Sequence, residues 1–467
     1  MTIYVRKTTK VKSIMGRIDN ATRNIFFGYI GNILKIVLGF ILRTVFIDTL
    51  GATYLGVNGL YTNILYVLSL AELGIGTAMN YSLYKPVAEN DYEKIKSLMY
   101  LYKRAYKIIA IIITIIGLSL APFLKYIIKE NGNIGIKKLT IYYLIFLFNT
   151  VTTYFVAYKY SLVNAEQRGY IQTNINTVTY IITTIAQIIV LLVYKNFLLY
   201  LLIATIIGLV QKIYVNIYLN KLYPYLRDKN IRKLFKEETA PIKKNIKALM
   251  YHKIGEISVH QTDNIIISSF INITTVGLVS NYNLIITSVS EFINIIFNSI
   301  VAGFGNLIAT ENKEKQFQIF KVYRFLGFWF YSFASIAFLV LLSPFITLWI
   351  GEDMVISKTV VGLILTNYYF QGHRIVINNF KTAAGIFDED KYIAIIQAVV
   401  NLVVSIVLVQ EMGLVGVYIG TICSGLVSTF SRPYIVYKNF FNKSVLEYYK
   451  DSIIYIIVIA GVLFVLE

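Results

Sequence analysis

The chain has 467 residues, 57% of them hydrophobic and only 15% charged, with a formal net charge of +19. A soluble protein of this length carries about 25% charged residues spread over two or three domains, so this composition, with a mean hydropathy of +0.63, excludes a soluble globular protein and marks a polytopic all-α membrane protein. In such a chain the basic excess reflects the positive-inside rule rather than nucleic-acid binding, and the single Cys423 can form no intramolecular disulfide.

Residues 1–23 are basic and lack an apolar stretch followed by a small-residue cleavage site, so no cleavable signal peptide is expected. Apolar runs then predict membrane helices over 24–49, 53–82, 104–128, 138–160, 171–194, 197–220, 246–271, 275–302, 322–349, 357–385, 391–410, 414–437 and 451–466. With the N-terminus in the cytoplasm, cytoplasmic segments hold 34 Lys and Arg and external turns hold 6. Four more, Lys35, Arg43, Lys253 and Arg374, fall inside predicted helices. This asymmetry sets the orientation. The expected organisation is a basic cytoplasmic segment (1–23), an N-lobe of six helices (24–220), a cytoplasmic linker (221–245), a C-lobe of six helices (246–437) and a C-terminal segment with one extra helix (438–467). An odd count places residue 467 outside; a fourteenth helix, if the natural chain continues, would return it to the cytoplasm.

The two lobes are internal repeats. A shift of 221 residues lays "LGVNGLYTNI" (Leu55–Ile64) on "VGLVSNYNLI" (Val276–Ile285), pairing Gly56 with Gly277 and Tyr61 with Tyr282. The same shift pairs Glu93 with Glu314 and Lys103 with Arg324. The shift spans an even number of helices, so the lobes are related by a pseudo-twofold axis along the membrane normal, with a site expected in a central cavity between them.

A charge in the middle of a membrane helix costs about 2.5–3.5 kcal/mol on insertion scales, so such charges mark function. At about 100° per residue, His252, Lys253, Glu256, His260 and Asp263 share one arc of roughly 100° on the seventh helix. Asn32, Lys35, Gly39 and Arg43 form a similar stripe on the first. Glu72 with Asn80, Glu291 with Asn294 and Asn298, and Arg374 with Asn378 and Lys381 extend the set. One reading is a ligand-binding cleft. The other is a structural ion network pairing Lys35, Arg43, Lys253 and Arg374 with Glu72, Glu256, Asp263 and Glu291. The spacing of His252, Glu256 and His260 suits a metal, but no Cys supports one and no metal is expected. No phosphate-binding loop or catalytic constellation is present, so neither an ATPase nor another enzyme is expected.

The segment "LRTVFIDTLGATYLGVNGLYTNILYVLSLAELGIGTAMNYSLYKPVAEN" and the turn "TDNIIISSFINITTVGLVSNYN" resemble the oligosaccharide flippase (polysaccharide transporter) family. That family belongs to the multidrug/oligosaccharidyl-lipid/polysaccharide exporter superfamily, with multidrug and toxin extrusion transporters and lipid II flippases. The resemblance covers nearly the whole chain and implies two six-helix lobes around a cavity that opens alternately to each side. The implied cargo is an undecaprenyl-diphosphate-linked oligosaccharide, moved between leaflets of the bacterial cytoplasmic membrane. Basic residues of the first and seventh helices would contact the diphosphate, which points here to Arg43, Lys35 and Lys253. Further candidate substrate contacts are Asn32, Arg374, His252 and His260. Asp263, Glu256, Glu72 and Glu291 are candidate coupling sites for H+ or Na+; no other cofactor is expected. Expected partners are the lipid-linked saccharide, membrane lipids, and the polymerase and other proteins of polysaccharide assembly. Two competing readings are an ion-coupled multidrug/cation antiporter of the same superfamily and a non-transporting scaffold or channel. Embedded bases that match the acids in number, and dominate the first helix, favour phosphate-bearing cargo over organic cations.

Overall fold

The computed structural model describes residues 2–72, 75–129, 134–228, 231, 232, 234–243, 246, 250, 261–384, 386, 389 and 391–466. Every regular element among them is helical. In hydrocarbon no water satisfies backbone N–H and C=O groups, and a helix satisfies them within one segment. Among the described residues, ten helical stretches are long and apolar enough to cross a membrane, and the protein is a multi-pass membrane protein.

The chain divides into two compact units. The first comprises residues 1–54, 68–125 and 133–250. Its helices are the first part of α1 (Thr2–Leu68), then α2 (Ile75–Glu89), α3 (Tyr92–Leu120), α5 (Ile136–Ala165), α6 (Tyr170–Tyr194) and α7 (Phe197–Leu222). The short α4 (Leu124–Ile127) straddles the division. The second unit comprises residues 55–67, 126–132 and 251–467. It holds α8 (Asp263–Phe270), α9 (Ile273–Thr310), α10 (Lys313–Ile350), α11 (Lys358–His373), α12 (Ile375–Ala383), α13 (Lys391–Met412), α14 (Leu414–Tyr434), a π-helical segment (Ile435–Phe441) and α15 (Leu446–Leu466).

The predicted elements recur with informative differences. The apolar stretch Thr22–Leu68 has 47 residues, about 70 Å at 1.5 Å per residue, so it holds two spans. They meet at Gly51, whose φ of 76° and ψ of 177° are outside the range of L-residues. The predicted helix 53–82 is interrupted by a 3-10 turn at Ser69–Glu72, where "AELGIG" combines a carboxylate with two poor helix formers. α3 begins at Tyr92, twelve residues before the apolar run, because Asp91 caps it by accepting from Lys94 N at 3.0 Å. The predicted helix 357–385 is broken at Arg374, whose N–H turns to Gln371 and Gly372 rather than the helical ladder. Of the predicted span 246–271, residues 251–260 lie outside the described set, and with them His252, Lys253, Glu256 and His260.

The repeat has a physical basis in the second unit. Gly56 packs so closely on the start of α9 that a Cβ built on it lies 1.9 Å from Ile273 O and 3.2 Å from Gly277 N. The two glycines paired by the 221-residue shift therefore meet at one helix crossing, where small residues let backbones approach. Tyr61 and Tyr282, the other matched pair, are both fully buried.

Candidate functional site

The second unit encloses a polar cavity of about 360 Å³. α11 and α12 bring Arg374 and Asn378 to it, α14 brings Thr421, Ser428 and Arg432, and α13 brings Gln397. Packing fixes these helices. On α12, Phe380 is buried against Phe320 and Phe441, with ring centroids 5.3 and 4.9 Å away. Asn378, two residues earlier, faces the cavity. A Cβ built on Gly420 of α14 would lie 2.6 Å from Ser405 N on α13; this close approach holds Thr421 against Asn401, whose Nδ2 donates to Thr421 Oγ1 at 3.3 Å.

Two arginines line this space. Arg374 is 6% exposed. Its Nη1 donates to Gly425 O and, at 2.9 Å, to Thr429 Oγ1. Arg432 Nη1 donates to Asn378 Oδ1 at 3.0 Å. Gln397 Nε2 donates to Ser424 O and Ser428 Oγ, fixing the opposite wall. Among the described residues, no carboxylate lines the cavity. Arg374, oriented by a carbonyl and a hydroxyl, and Arg432 beside it in a polar pocket form an environment complementary to an anion.

Asp263, the first residue of α8, sits immediately behind this wall. Its Oδ2 accepts from Thr421 Oγ1 at 3.0 Å, and Thr421 itself lines the cavity. Its Oδ1 is buried without a hydrogen-bond partner. Thr262 Oγ1 donates to Asn401 Oδ1 at 3.1 Å, completing a polar knot beside the carboxylate. One hydroxyl thus separates the carboxylate from the arginine-lined space, and the second carboxylate oxygen is left with unused acceptor capacity.

In the first unit, Asn32, Lys35 and Arg43 lie on α1, all partly buried. Tyr200 of α7 and Tyr180 of α6 lie close to Arg43. Tyr180 also donates to Lys35 O at 3.3 Å, which ties α6 along the predicted stripe. Glu72 Oε1 accepts a short hydrogen bond from Tyr106 of α3, and Tyr102 stacks edge-on against Tyr106 at 4.8 Å. Glu291 is exposed on α9.

The structure thus brings Arg374 and Asp263 together around Thr421, and places Arg43 and Lys35 near Tyr180. Two residues gain a different reading. Arg432, counted with the cytoplasmic charges, lies in α14 and lines the cavity. Arg324, also counted there, is 2% exposed and serves a structural network: it bonds Asp451 at 2.9 Å, Tyr448 O at 2.6 Å and Ser452 Oγ at 2.8 Å, with its guanidinium 3.7 Å from the Tyr448 ring centre. His373 joins this network through Ser452 at 3.0 Å.

The architecture is similar to that of several solved transporters. An inward-facing multidrug resistance MATE family transporter of the MOP superfamily aligns with a TM-score of 0.65 at 12% identity, covering 86% of this chain and 93% of its own. The lipid II flippase MurJ, in an inward closed conformation, aligns with a TM-score of 0.63 at 15% identity, covering 94% and 93%. A MATE transporter from Vibrio cholerae aligns at 0.59 and 15%, covering 91% and 99%. The chain shares the fold of these transporters. No protein-family model and no curated protein matches it by sequence. The expected all-α polytopic membrane class is therefore observed, and at these identities the likeness concerns the fold alone.

Proposed function

We propose that this protein is a flippase that moves undecaprenyl-diphosphate-linked oligosaccharide repeat units from the inner to the outer leaflet of the bacterial cytoplasmic membrane, by alternating access, for surface polysaccharide assembly. One observation carries the reading: the cavity of the second unit is lined by Arg374 and Arg432 and, among the described residues, by no carboxylate. A diphosphate is the part of such a cargo that cannot enter hydrocarbon unaided. Guanidinium groups bind it in a forked geometry and remain charged at any working pH. Supporting context comes from the fold, which a lipid II flippase also adopts.

Coupling follows from the buried carboxylates. Asp263 touches the cavity wall through Thr421, so a proton or sodium ion there would feel a dianion bound beside it. An inside-negative potential favours outward movement of the anionic head by about 2.3 kcal/mol per charge per 100 mV. The N-terminus and the 221–245 linker are cytoplasmic in this scheme, and the polymerase receives the product outside. Cofactors other than the coupling ion play no part in it.

The second reading is an ion-coupled cation antiporter. Two of the structural neighbours are multidrug-type transporters, and Glu72 in its tyrosine cage is a group an organic cation could engage. Reconstitution separates the two. Purified protein in liposomes should move a fluorescent prenyl-diphosphate saccharide across the bilayer and leave the distribution of a cationic dye unchanged. Dye transport without lipid movement refutes the flippase reading; movement of neither substrate under any imposed ion gradient refutes both and favours a scaffold.

A further inference from the structure

A second cationic pocket lies in the first unit, built from none of the residues assigned to the proposed cargo or coupling sites. It has a volume of about 630 Å³ and is closed by the residues that follow α7. Four basic residues line it, Lys96 and Lys103 from α3, Lys159 from α5 and Arg227 from the linker, against the single carboxylate of Asp228.

The charges are not equivalent. Lys96 is neutralised internally, bonding Asp228 at 3.0 Å and Glu93 at 2.6 Å. Lys159 is not. It is 4% exposed, and its ammonium donates only to neutral oxygens: the Asn216 side chain and carbonyl, and Asn220 Oδ1 at 2.6 Å. Lys103 and Arg227, which line the same pocket, carry charge of the same sign. Like charges held around a buried ammonium raise the energy of the empty pocket, and an anion bound among them removes that cost. The asparagines on α7 fix the lysine in place without cancelling its charge.

The mouth gives the ligand's source. Tyr100 and Phe155 both line the pocket, and they are 53% and 50% exposed. Aromatic rings that stay uncovered beside a cationic pocket, at the ends of membrane helices, offer an acyl chain a surface while the phosphate enters the pocket. Lys96 and Lys103 belong to the early turns of α3, Lys159 to the end of α5 and Arg227 to the linker. The charge asymmetry of the sequence assigns these ends to the cytoplasm.

We propose that this pocket binds a phosphate-bearing anion, supplied by the headgroup of an anionic lipid at the cytoplasmic surface, and that the ligand thereby anchors the linker to α3 and α5. The linker is already tied at this point: Ser97 Oγ donates to Arg232 O at 2.7 Å.

The test uses the full-length protein in lipid nanodiscs and in detergent. Native mass spectrometry after extraction from mixed phosphatidylglycerol and phosphatidylcholine nanodiscs should show retained phosphatidylglycerol and no retained phosphatidylcholine. Lys103 and Arg227 are exposed, so Lys103→Ala/Arg227→Ala should fold normally and bind phosphatidylglycerol about tenfold or more weakly, having lost two charge-assisted contacts. Lys159→Met serves as a second variant, scored only if its thermal unfolding matches that of the wild type. A parallel thermal-shift titration with inorganic pyrophosphate distinguishes the sources. Stabilisation by pyrophosphate that Lys103→Ala/Arg227→Ala loses, without stabilisation by phosphatidylglycerol, upholds a phosphate site in this pocket and overturns the lipid assignment. Equal lipid retention by wild type and double variant, or no response to either ligand, overturns the proposal. Its outcome is separate from lipid-linked saccharide transport, which involves none of these residues.

Discussion

The Gly56 crossing offers a direct measure of how much the repeat symmetry contributes to stability. A Cβ at position 56 falls 1.9 Å from Ile273 O and 2.9 Å from Ile273 C. A relaxed carbon–oxygen contact needs about 3.3–3.6 Å, so the two backbones must part by roughly 1.4 Å or more. Both partners are backbone, and no side-chain rotation relieves the clash. The crossing also buries Leu60, Tyr61 and Tyr282 completely, so separation would open gaps beside three large side chains. Overpacking of a tight core costs about 1–3 kcal/mol and occasionally more; with backbone as the obstacle, Gly56→Ala should reach about 3 kcal/mol, a more than hundredfold shift in the folded population. Gly59→Ala is the internal control. Its Cβ would meet Val276 Cγ1 at 3.5 Å, an ordinary contact, and alanine favours helix by up to about 1 kcal/mol, so it should be neutral or mildly stabilising. The measurement is thermal unfolding of detergent-purified protein followed by size-exclusion chromatography. If Gly56→Ala unfolds at the wild-type temperature, or if both variants lose stability equally, the close-crossing argument is wrong.

Other expected outcomes bear on function. Arg432→Gln should leave thermal stability nearly unchanged, because this arginine is only partly buried, while reducing flipping of the lipid-linked saccharide at least tenfold; a normal rate removes it from cargo binding. Asp263→Asn keeps an acceptor for Thr421 and should abolish the dependence of transport on the ion gradient, read as a flat response of rate to imposed pH or sodium gradients. Arg43→Gln should fold yet halt polysaccharide export, with lipid-linked units accumulating on the cytoplasmic face, and Arg43→Lys should restore part of the activity; export by Arg43→Gln at the wild-type rate returns Arg43 to a packing role. Arg324→Ala should destabilise the protein by about 3–5 kcal/mol through the stranded Asp451 and Tyr448 contacts, and a stable variant with altered cargo preference would contradict its structural assignment.

Much of the architecture is written in local patterns. Apolar runs give the spans because hydrocarbon leaves the backbone no alternative to helix. Gly51 is legible as a turn between two such runs. The Gly56–Gly277 match is legible because a close helix crossing selects a small residue on both sides. Helix starts are less so: α3 begins well before its apolar run because Asp91 caps polar turns that hydropathy does not register. Side-chain roles depend on neighbours distant in sequence. Nothing around "SRPY" separates Arg432 from a loop charge; its place follows from α12 carrying Asn378 to α14, 54 residues away. Glu72 looks like a ligand-facing carboxylate until Tyr106 is brought against it.

An ion network and a binding site differ, residue by residue, in what satisfies each charge. Arg324 has a carboxylate, a carbonyl, a hydroxyl and a ring around one guanidinium, so its charge is cancelled within the protein and leaves little field for a ligand. Arg374 is almost as deeply buried, yet its partners are the Gly425 carbonyl and the Thr429 hydroxyl, which orient the group without neutralising it. Burying an ion this way is costly, and an anion bound in the adjacent polar cavity would offset that cost. The same comparison separates Lys96, matched by Asp228 and Glu93, from Lys159, held by two asparagines. Neutral acceptors around a buried cation, next to open space, are therefore the feature that links the cavity of the second unit with the pocket of the first. It predicts that replacing those acceptors with carboxylates, as in Asn220→Asp or Thr429→Asp, should preserve or raise stability while weakening anion binding at the corresponding site. Weaker folding with unchanged anion affinity would refute the common principle.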